Sequence, residues 1–406
     1  MARNAPILLA APHRLLFLTG VLNLLLLMLW WAITLFDLHI RPIGLPMPDV
    51  PVALLHAPVM LYLLLPPFIF GFLLTVFPRW AGYPDLVARH YAPVGVAFGS
   101  ASILGLAGLT TAVTPLVLAG FTVAAIGWII ALWQLLAVLR MEHRDRKPPT
   151  WHAWSAFAAL SFGLFGLAFA IDFLVGRDAN AYLWATRIGT FGFMVPVFMT
   201  VAHRMIPFFA GSIVENYVRW RPYWVLAALW VLLLLHLALN LSDQQNWQWI
   251  TALALMGLTG LMLWRWWPRA PAPGLLQVLI LGFAWAPIGF ALIAVNNLTA
   301  VAGLSGDLGR APVHALYVGM AGSLIIAMVT RVTQGHSGRP LEMPRVAWIA
   351  FWGIQASALA RIIAGIRGEH GHWLFLAALI WTALVAPWVL RQSRIYCAPR
   401  VDGRPG

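Results

Sequence analysis

Charged residues are scarce in this chain of 406 residues: they make up 10% of it, against roughly 25% in a typical soluble domain. Hydrophobic residues make up 61%, and the mean hydropathy is +0.82. A water-soluble fold cannot hide that much apolar surface, so the composition excludes a soluble globular enzyme. It also excludes a disordered chain, because disorder requires few apolar residues.

Cysteine is almost absent. The single one, Cys397, lies near the C-terminus, which excludes a disulfide framework, an iron–sulfur cluster and a thiolate metal cage. Covalent c-type haem attachment is excluded as well, because it requires a CxxCH motif. The chain also lacks the P-loop, GxGxxG and Ser–His–Asp patterns that would suggest nucleotide binding or nucleophilic catalysis.

The chain instead contains a series of apolar stretches of about 20 residues, the length that crosses a bilayer. We predict an all-α, polytopic membrane bundle that forms one transmembrane domain over residues 1–406. No internal repeat is evident, and Pro115 separates the third span from the fourth. The twelve predicted spans are 15–36, 54–77, 94–112, 116–138, 154–175, 182–208, 223–241, 249–267, 275–298, 313–332, 346–366 and 373–390.

The basic residues predict the orientation of this bundle. Of the 26 basic residues 25 are Arg, and they lie singly between apolar runs, which argues against nucleic acid as a partner. Seventeen lie in one set of loops, and four lie in the other: Arg41, Arg177, Arg310 and Arg367. The positive-inside rule therefore predicts that both termini are cytoplasmic.

Two histidines occupy matching positions in this topology. His56 lies at the predicted outer end of the second span and His314 at the outer end of the tenth. A lone imidazole at a helix end can be an interfacial anchor, but two that face each other can ligate a haem iron. Arg187 and Arg361 lie one or two turns inside the outer face and are candidate partners for haem propionates, unless they snorkel to lipid headgroups.

Further histidines could form a second metal site. His236 lies near the outer end of the seventh span, and His203 and His336 lie at the predicted inner ends of the sixth and tenth. Arg204 and Arg331 are close to the inner pair in sequence. Two nearby cations disfavour a divalent metal and favour an anion, so this inner cluster suits a second haem at least as well as copper.

Other polar features leave alternatives open. No Asp or Glu lies at the middle of a span, which argues against a proton-driven transporter. Prolines within spans, at Pro66, Pro67, Pro196 and Pro287, free backbone carbonyls and can open a cofactor cavity, although ordinary bundles contain them too. Residues 335–341, Gly-His-Ser-Gly-Arg-Pro-Leu, predict either a backbone nest for an anion or a tight turn between spans.

Several ordered motifs resemble those of the NnrS family, haem- and copper-containing membrane proteins associated with nitric oxide. The motifs are Gly-Phe-Leu-Leu-Thr at 71–75 with Phe-Pro-Arg-Trp at 77–80, Arg-Met-Ile-Pro-Phe-Phe at 204–209, His-Ala-Leu at 314–316 with Gly319, and residues 327–331 and 335–341. The resemblance covers the whole chain. It implies a haem b protein of the bacterial inner membrane, with His56 and His314 as ligands and nitric oxide or another small gas as partner.

The twelve-helix architecture also resembles that of haem–copper oxidases, in which histidines on the second and tenth helices hold a low-spin haem. This analogy of fold implies no reaction by itself. It leaves open whether nitric oxide is sensed, sequestered or reduced by a nitric oxide reductase-type oxidoreductase, and which electron donor serves it. Two alternatives from other classes remain: a non-haem membrane carrier for a small molecule or a metal ion, and a purely structural role.

The chain departs from the family pattern where copper is concerned. The family's second span opens with Trp-His-x-His-Glu-Met, and His56 and Met60 match its first His and its Met. Pro58 and Val59 stand in place of the second His and the Glu, and neither has a ligand atom. We therefore predict no stably bound copper at the His56 end.

Overall fold

The computed structural model describes residues 7–304 and 307–403, and within these ranges it contains helices and no strand. The prediction of a twelve-span, all-α membrane bundle is confirmed, since twelve of its helices are long and apolar enough to cross a membrane. Arg3 and Arg404, two of the seventeen basic residues counted above, lie outside the described residues. The helices are α1 (Pro12–His39), α2 (Val52–Trp80), α3 (Ala88–Thr111), α4 (Thr114–Arg144), α5 (Trp151–Gly176), α6 (Ala179–Ile213), α7 (Tyr223–Leu241), α8 (Gln245–Trp266), α9 (Gly274–Val301), α10 (Ala311–Ser337), α11 (Arg345–Ile366) and α12 (Gly371–Tyr396).

Local sequence explains where several helices begin and end. Proline occupies the first turn of α1, α4 and α10, where a backbone N–H would have no helical partner. Residues in the left-handed region end α3 at Ala112, α5 at Arg177 and α10 at Gly338. The break between α3 and α4 therefore lies where Pro115 predicted it.

Odd-numbered helices begin on the face where the described chain begins, before α1, and ends, after α12. This face is here called the termini face, and even-numbered helices begin on the opposite face.

Three helices form the centre of the bundle. The apolar windows of α2, α6 and α10 are 89%, 78% and 72% buried, whereas those of α7, α8 and α12 are each 33% buried. The outer helices thus leave most of their apolar surface to lipid, and the central three are covered by protein.

Each central helix contains a segment of wider π-helical turns: Met60–Leu64 in α2, Ile188–Met194 in α6 and Ala315–Gly322 in α10. Pro66 and Pro196 follow the first two segments closely. Proline cannot donate to the helical ladder, and a π turn accommodates this disruption without ending the helix. In α9 the α-helix is interrupted at Ala284, before Pro287.

The π segments recur in every fourth helix, which divides the described helices into three units, α1–α4, α5–α8 and α9–α12. Successive units meet in the same way, with α4 against α5, α8 against α9 and α12 against α1. Buried hydrogen bonds connect the centre: the Tyr62 hydroxyl donates to the Ala185 carbonyl over 2.6 Å, and the hydroxyls of Thr190 and Tyr317 lie 2.6 Å apart. The larger apolar core cluster includes residues of all twelve helices.

Candidate functional site

The histidines of α2 and α10 meet on the opposite face, as their matching depth predicted. The ring centroids of His56 and His314 are 6.4 Å apart, and their planes differ by 7°. Two imidazoles that bind one metal ion from opposite sides, with metal–nitrogen distances of about 2 Å, have centroids roughly 6 Å apart. The spacing of this histidine pair therefore fits one iron between them. Each histidine lies just before the π segment of its helix.

The hydrogen bonding of His314 leaves one ring nitrogen free. Its Nδ1 lies 2.8 Å from the carbonyl oxygen of Arg310. A carbonyl oxygen can only accept, so Nδ1 carries the proton and Nε2 carries the lone pair that a metal needs. His56 is held differently, because its ring stacks on Trp31 at 4.2 Å and its buried Nδ1 has no partner among the described residues.

A buried cation lies beside this pair. Arg361 of α11 interacts electrostatically with both imidazoles. Its Nη2 lies 2.9 Å from Glu369, its side chain is 11% exposed, and its Nη1 is buried with no partner among the described residues. Glu369 also accepts the backbone N–H of Arg310 over 2.9 Å, which connects the carboxylate to the segment that orients His314. An unpaired guanidinium N–H at this position suits an anionic group bound next to the histidines.

Arg187, the other predicted propionate partner, has a different environment. Its Nη1 donates to the Asn240 carbonyl over 2.6 Å and to the Asp243 carboxylate over 3.0 Å. Both acceptors lie at the end of α7, where a cation stabilises the negative end of the helix dipole. Of the two arginines, the structure brings Arg361 to the histidine pair.

On the termini face the histidines pair in a way that the sequence did not indicate. His203 lies 2.9 Å from His152 between ring nitrogens, and both side chains are fully buried. His336 instead contacts His13 of α1, with ring centroids 4.4 Å apart. The structure thus does not bring His203 and His336 into one pair, and it introduces His13 and His152, whose partners depend on helix rotation.

The two arginines near these histidines contact aromatic rings. Arg204 of α6 lies over Trp80 of α2 at 4.8 Å, and Arg331 of α10 lies over Phe209 of α6 at 3.7 Å. Each cation therefore reaches the end of another central helix. In the adjoining loop, a hydrogen bond from Arg79 holds the pKa of Asp85 below its ordinary value.

His236 is fully packed inside the bundle. Its Nδ1 lies 2.8 Å from the Thr251 hydroxyl, which itself donates to the Gln248 carbonyl. That hydroxyl therefore accepts from Nδ1–H, and the lone pair of His236 is on Nε2, which is buried and has no partner among the described residues. In residues 7–304 and 307–403, no three His, Cys, Asp or Glu side chains gather as a metal-ligand group.

A partly open apolar cavity lies between α1, α2, α6, α9 and α10, in the halves nearer the termini face. Its lining is entirely apolar and includes Phe72, Val201 and Leu324. A cavity with no polar wall remains dry and holds only apolar guests. Sequence reasoning anticipated cavity opening by the prolines, but not the position of this cavity on the bundle axis.

A family model described as NnrS protein matches residues 7–400 of the chain. No curated protein matches the chain.

Proposed function

The chain belongs to the NnrS family, and we propose that it is a haem b protein of the bacterial cytoplasmic membrane that acts on nitric oxide. The observation that carries the proposal is the histidine pair, whose 6.4 Å spacing and nearly parallel rings suit one iron. The excess of Arg in the loops of the termini face supports cytoplasmic termini and, with them, a position of the pair near the outer surface.

The residues around the pair have separable roles in this proposal. His314 is oriented through its Nδ1–H bond to Arg310, and His56 through its stacking on Trp31. Arg361 supplies positive charge for a propionate, while Glu369 holds the guanidinium in place. A haem held by both histidines would supply one-electron chemistry at this position. The apolar lining of the cavity between the central helices supports an apolar gas as the partner molecule.

The visible absorption spectrum of the purified protein tests the proposal directly. We expect a Soret band with about one haem per chain after expression with sufficient haem, because the two imidazoles would hold one haem iron. A protein that folds but shows no Soret band would refute haem binding. It would instead favour a non-haem carrier for a small molecule or a metal ion.

We expect Arg361→Gln to weaken haem retention by about tenfold, because the variant removes the cation beside the histidine pair. Haem per chain and the rate of haem transfer to an acceptor protein measure this effect. Arg187→Gln is the matched control, since its partners lie at the end of α7. Equal haem retention in the two variants would contradict the assignment of Arg361 to a propionate.

We also expect no stably bound copper at the His56 end. Copper sites without thiolates need two or three imidazoles at one place. The two imidazoles at this end are assigned to the haem iron, and Pro58 and Val59 add no further ligand. Metal analysis after expression with ample copper checks this expectation. About one copper per chain that disappears in His56→Ala would show that the reasoning from Pro58 is wrong.

A further inference from the structure

Unpartnered buried polar atoms are concentrated where α10 and α12 end on the termini face. Six such atoms lie here on five residues: Gln334, Arg339, Arg391, Gln392 and Ser393. Buried polar groups in proteins almost always have a hydrogen-bond partner. These atoms therefore offer donors and acceptors to a molecule outside the described residues.

Charge identifies which kind of molecule fits. The guanidiniums of Arg339 and Arg391 repel each other, and each has a buried Nη1 with no partner in the described chain. Arg14 adds a third positive charge that acts on Arg339, and its Nη1 donates only to the neutral carbonyls of Tyr396 and Ala398. Three guanidiniums thus lie near one another, and some of their N–H groups have no acceptor in the described chain.

Nearby carboxylates do not balance this charge. Glu342 acts on Arg391 but is exposed to solvent. Asp402 binds the guanidinium of Arg400 through both oxygens, at 2.9 and 2.6 Å, so this carboxylate and the fourth guanidinium add one charge of each sign. The site retains a net positive charge before any ligand binds.

The backbone of residues 335–341 does not serve as the anion site. The N–H groups of Gly338 and Arg339 both donate to the Gln334 carbonyl, and Gly338 has a φ of +74°. This arrangement is a helix-ending turn, so the tight-turn interpretation of the motif is correct. Arg339 follows this turn directly, and its charge acts on Arg391 of α12.

We propose that Arg339 and Arg391 bind a phosphate group on the termini face. Guanidiniums form short, bidentate, charge-assisted hydrogen bonds to phosphate oxygens, and two such groups from neighbouring helix ends can grip one phosphate. The phosphate comes either from an anionic lipid headgroup or from free phosphate in the aqueous phase. This site is separate from the histidine pair, and it does not depend on haem binding.

The test uses the full-length protein in neutral detergent and the Arg339→Gln/Arg391→Gln double variant. The matched control is Arg394→Gln, which removes an exposed Arg from the same end of α12. In one arm, inorganic phosphate is titrated and binding is followed by ³¹P NMR. In the other, phosphatidylglycerol and phosphatidylcholine are offered, and retained lipid is counted by native mass spectrometry.

We expect the wild type and the control to bind phosphate or to retain phosphatidylglycerol, with affinity at least about tenfold above that of the double variant. Phosphate binding alone would identify free phosphate as the source, and selective phosphatidylglycerol retention would identify the lipid. Binding of neither probe by the wild type, or equal binding by the double variant and the control, would overturn the proposal. If the wild type binds neither probe, the proposal is refuted whether or not the double variant folds.

Discussion

In the His314→Ala variant, the haem content of the purified protein is expected to fall by at least about 100-fold relative to the wild type. His314 is the better oriented member of the pair, because its Nδ1–H is fixed by the Arg310 carbonyl and its Nε2 lone pair is left free. Alanine removes that nitrogen and leaves His56 as the single imidazole of the pair. The ratio of Soret to protein absorbance, calibrated by pyridine haemochrome, measures the loss.

In His56→Ala the haem content is also expected to fall, since a low-spin spectrum requires a nitrogen from each of the two imidazoles. His372→Ala is the control, because His372 lies on the same face at the start of α12 and is exposed. This control should retain a full haem complement with an unchanged spectrum.

Chemical rescue separates ligation from a merely structural role. In His314→Gly, added imidazole should restore haem binding and the low-spin spectrum, because the free base can occupy the space that the side chain leaves. A variant that had lost only packing would not recover its spectrum with imidazole. Full, spectrally unchanged haem in both alanine variants would remove His56 and His314 from the site.

The parts of the molecule that the sequence predicted depend on position along a helix axis. Apolar length is a local property, so twelve spans could be read off directly. The pairing of His56 with His314 followed from a shared depth on central helices, which reduces the number of geometries available to them. The break beside Pro115 was predictable because proline favours the first turn of a helix.

What could not be predicted depends on rotation about the helix axis and on packing between helices. Arg187 and Arg361 have similar depths, yet one faces the end of α7 and the other faces the histidine pair. Helix rotation also explains why His203 pairs with His152 rather than with His336. The sequence did not reveal the three-part repeat, because the π segments share backbone geometry but no residue pattern common to all three.

The second large effect is expected from Gly166→Ala in α5, which should destabilise the protein by about 1–3 kcal/mol, as overpacking in a core does. A Cβ at Gly166 would overlap the hydroxyl of Tyr62. Tyr62 is fully buried and cannot move aside cheaply, because its hydroxyl donates to the Ala185 carbonyl at 2.6 Å. Thermal unfolding of the purified protein in detergent, followed by intrinsic fluorescence, measures the change.

Gly257→Ala is the matched control. Gly257 also lies within a membrane-spanning helix, α8, but a Cβ there would meet no atom within 4 Å. This substitution should leave stability unchanged or raise it slightly, since alanine is the better helix former. If Gly166→Ala proved as stable as Gly257→Ala, the close approach of α5 to Tyr62 would be wrong.

A double variant assigns the effect to one pair of atoms. Tyr62→Phe alone should cost about 1 kcal/mol, because it removes a buried hydrogen bond. In the Tyr62→Phe background, however, the atom that overlaps the new Cβ is gone, and the nearest remaining ring atom lies at 3.2 Å. Gly166→Ala should therefore cost much less in that background than in the wild type, giving a clear coupling energy. If the costs of Gly166→Ala and Tyr62→Phe were additive, the new methyl group would instead clash with the helix backbone. In that case Tyr62 would not be the contact that sets the distance between α5 and the π segment of α2.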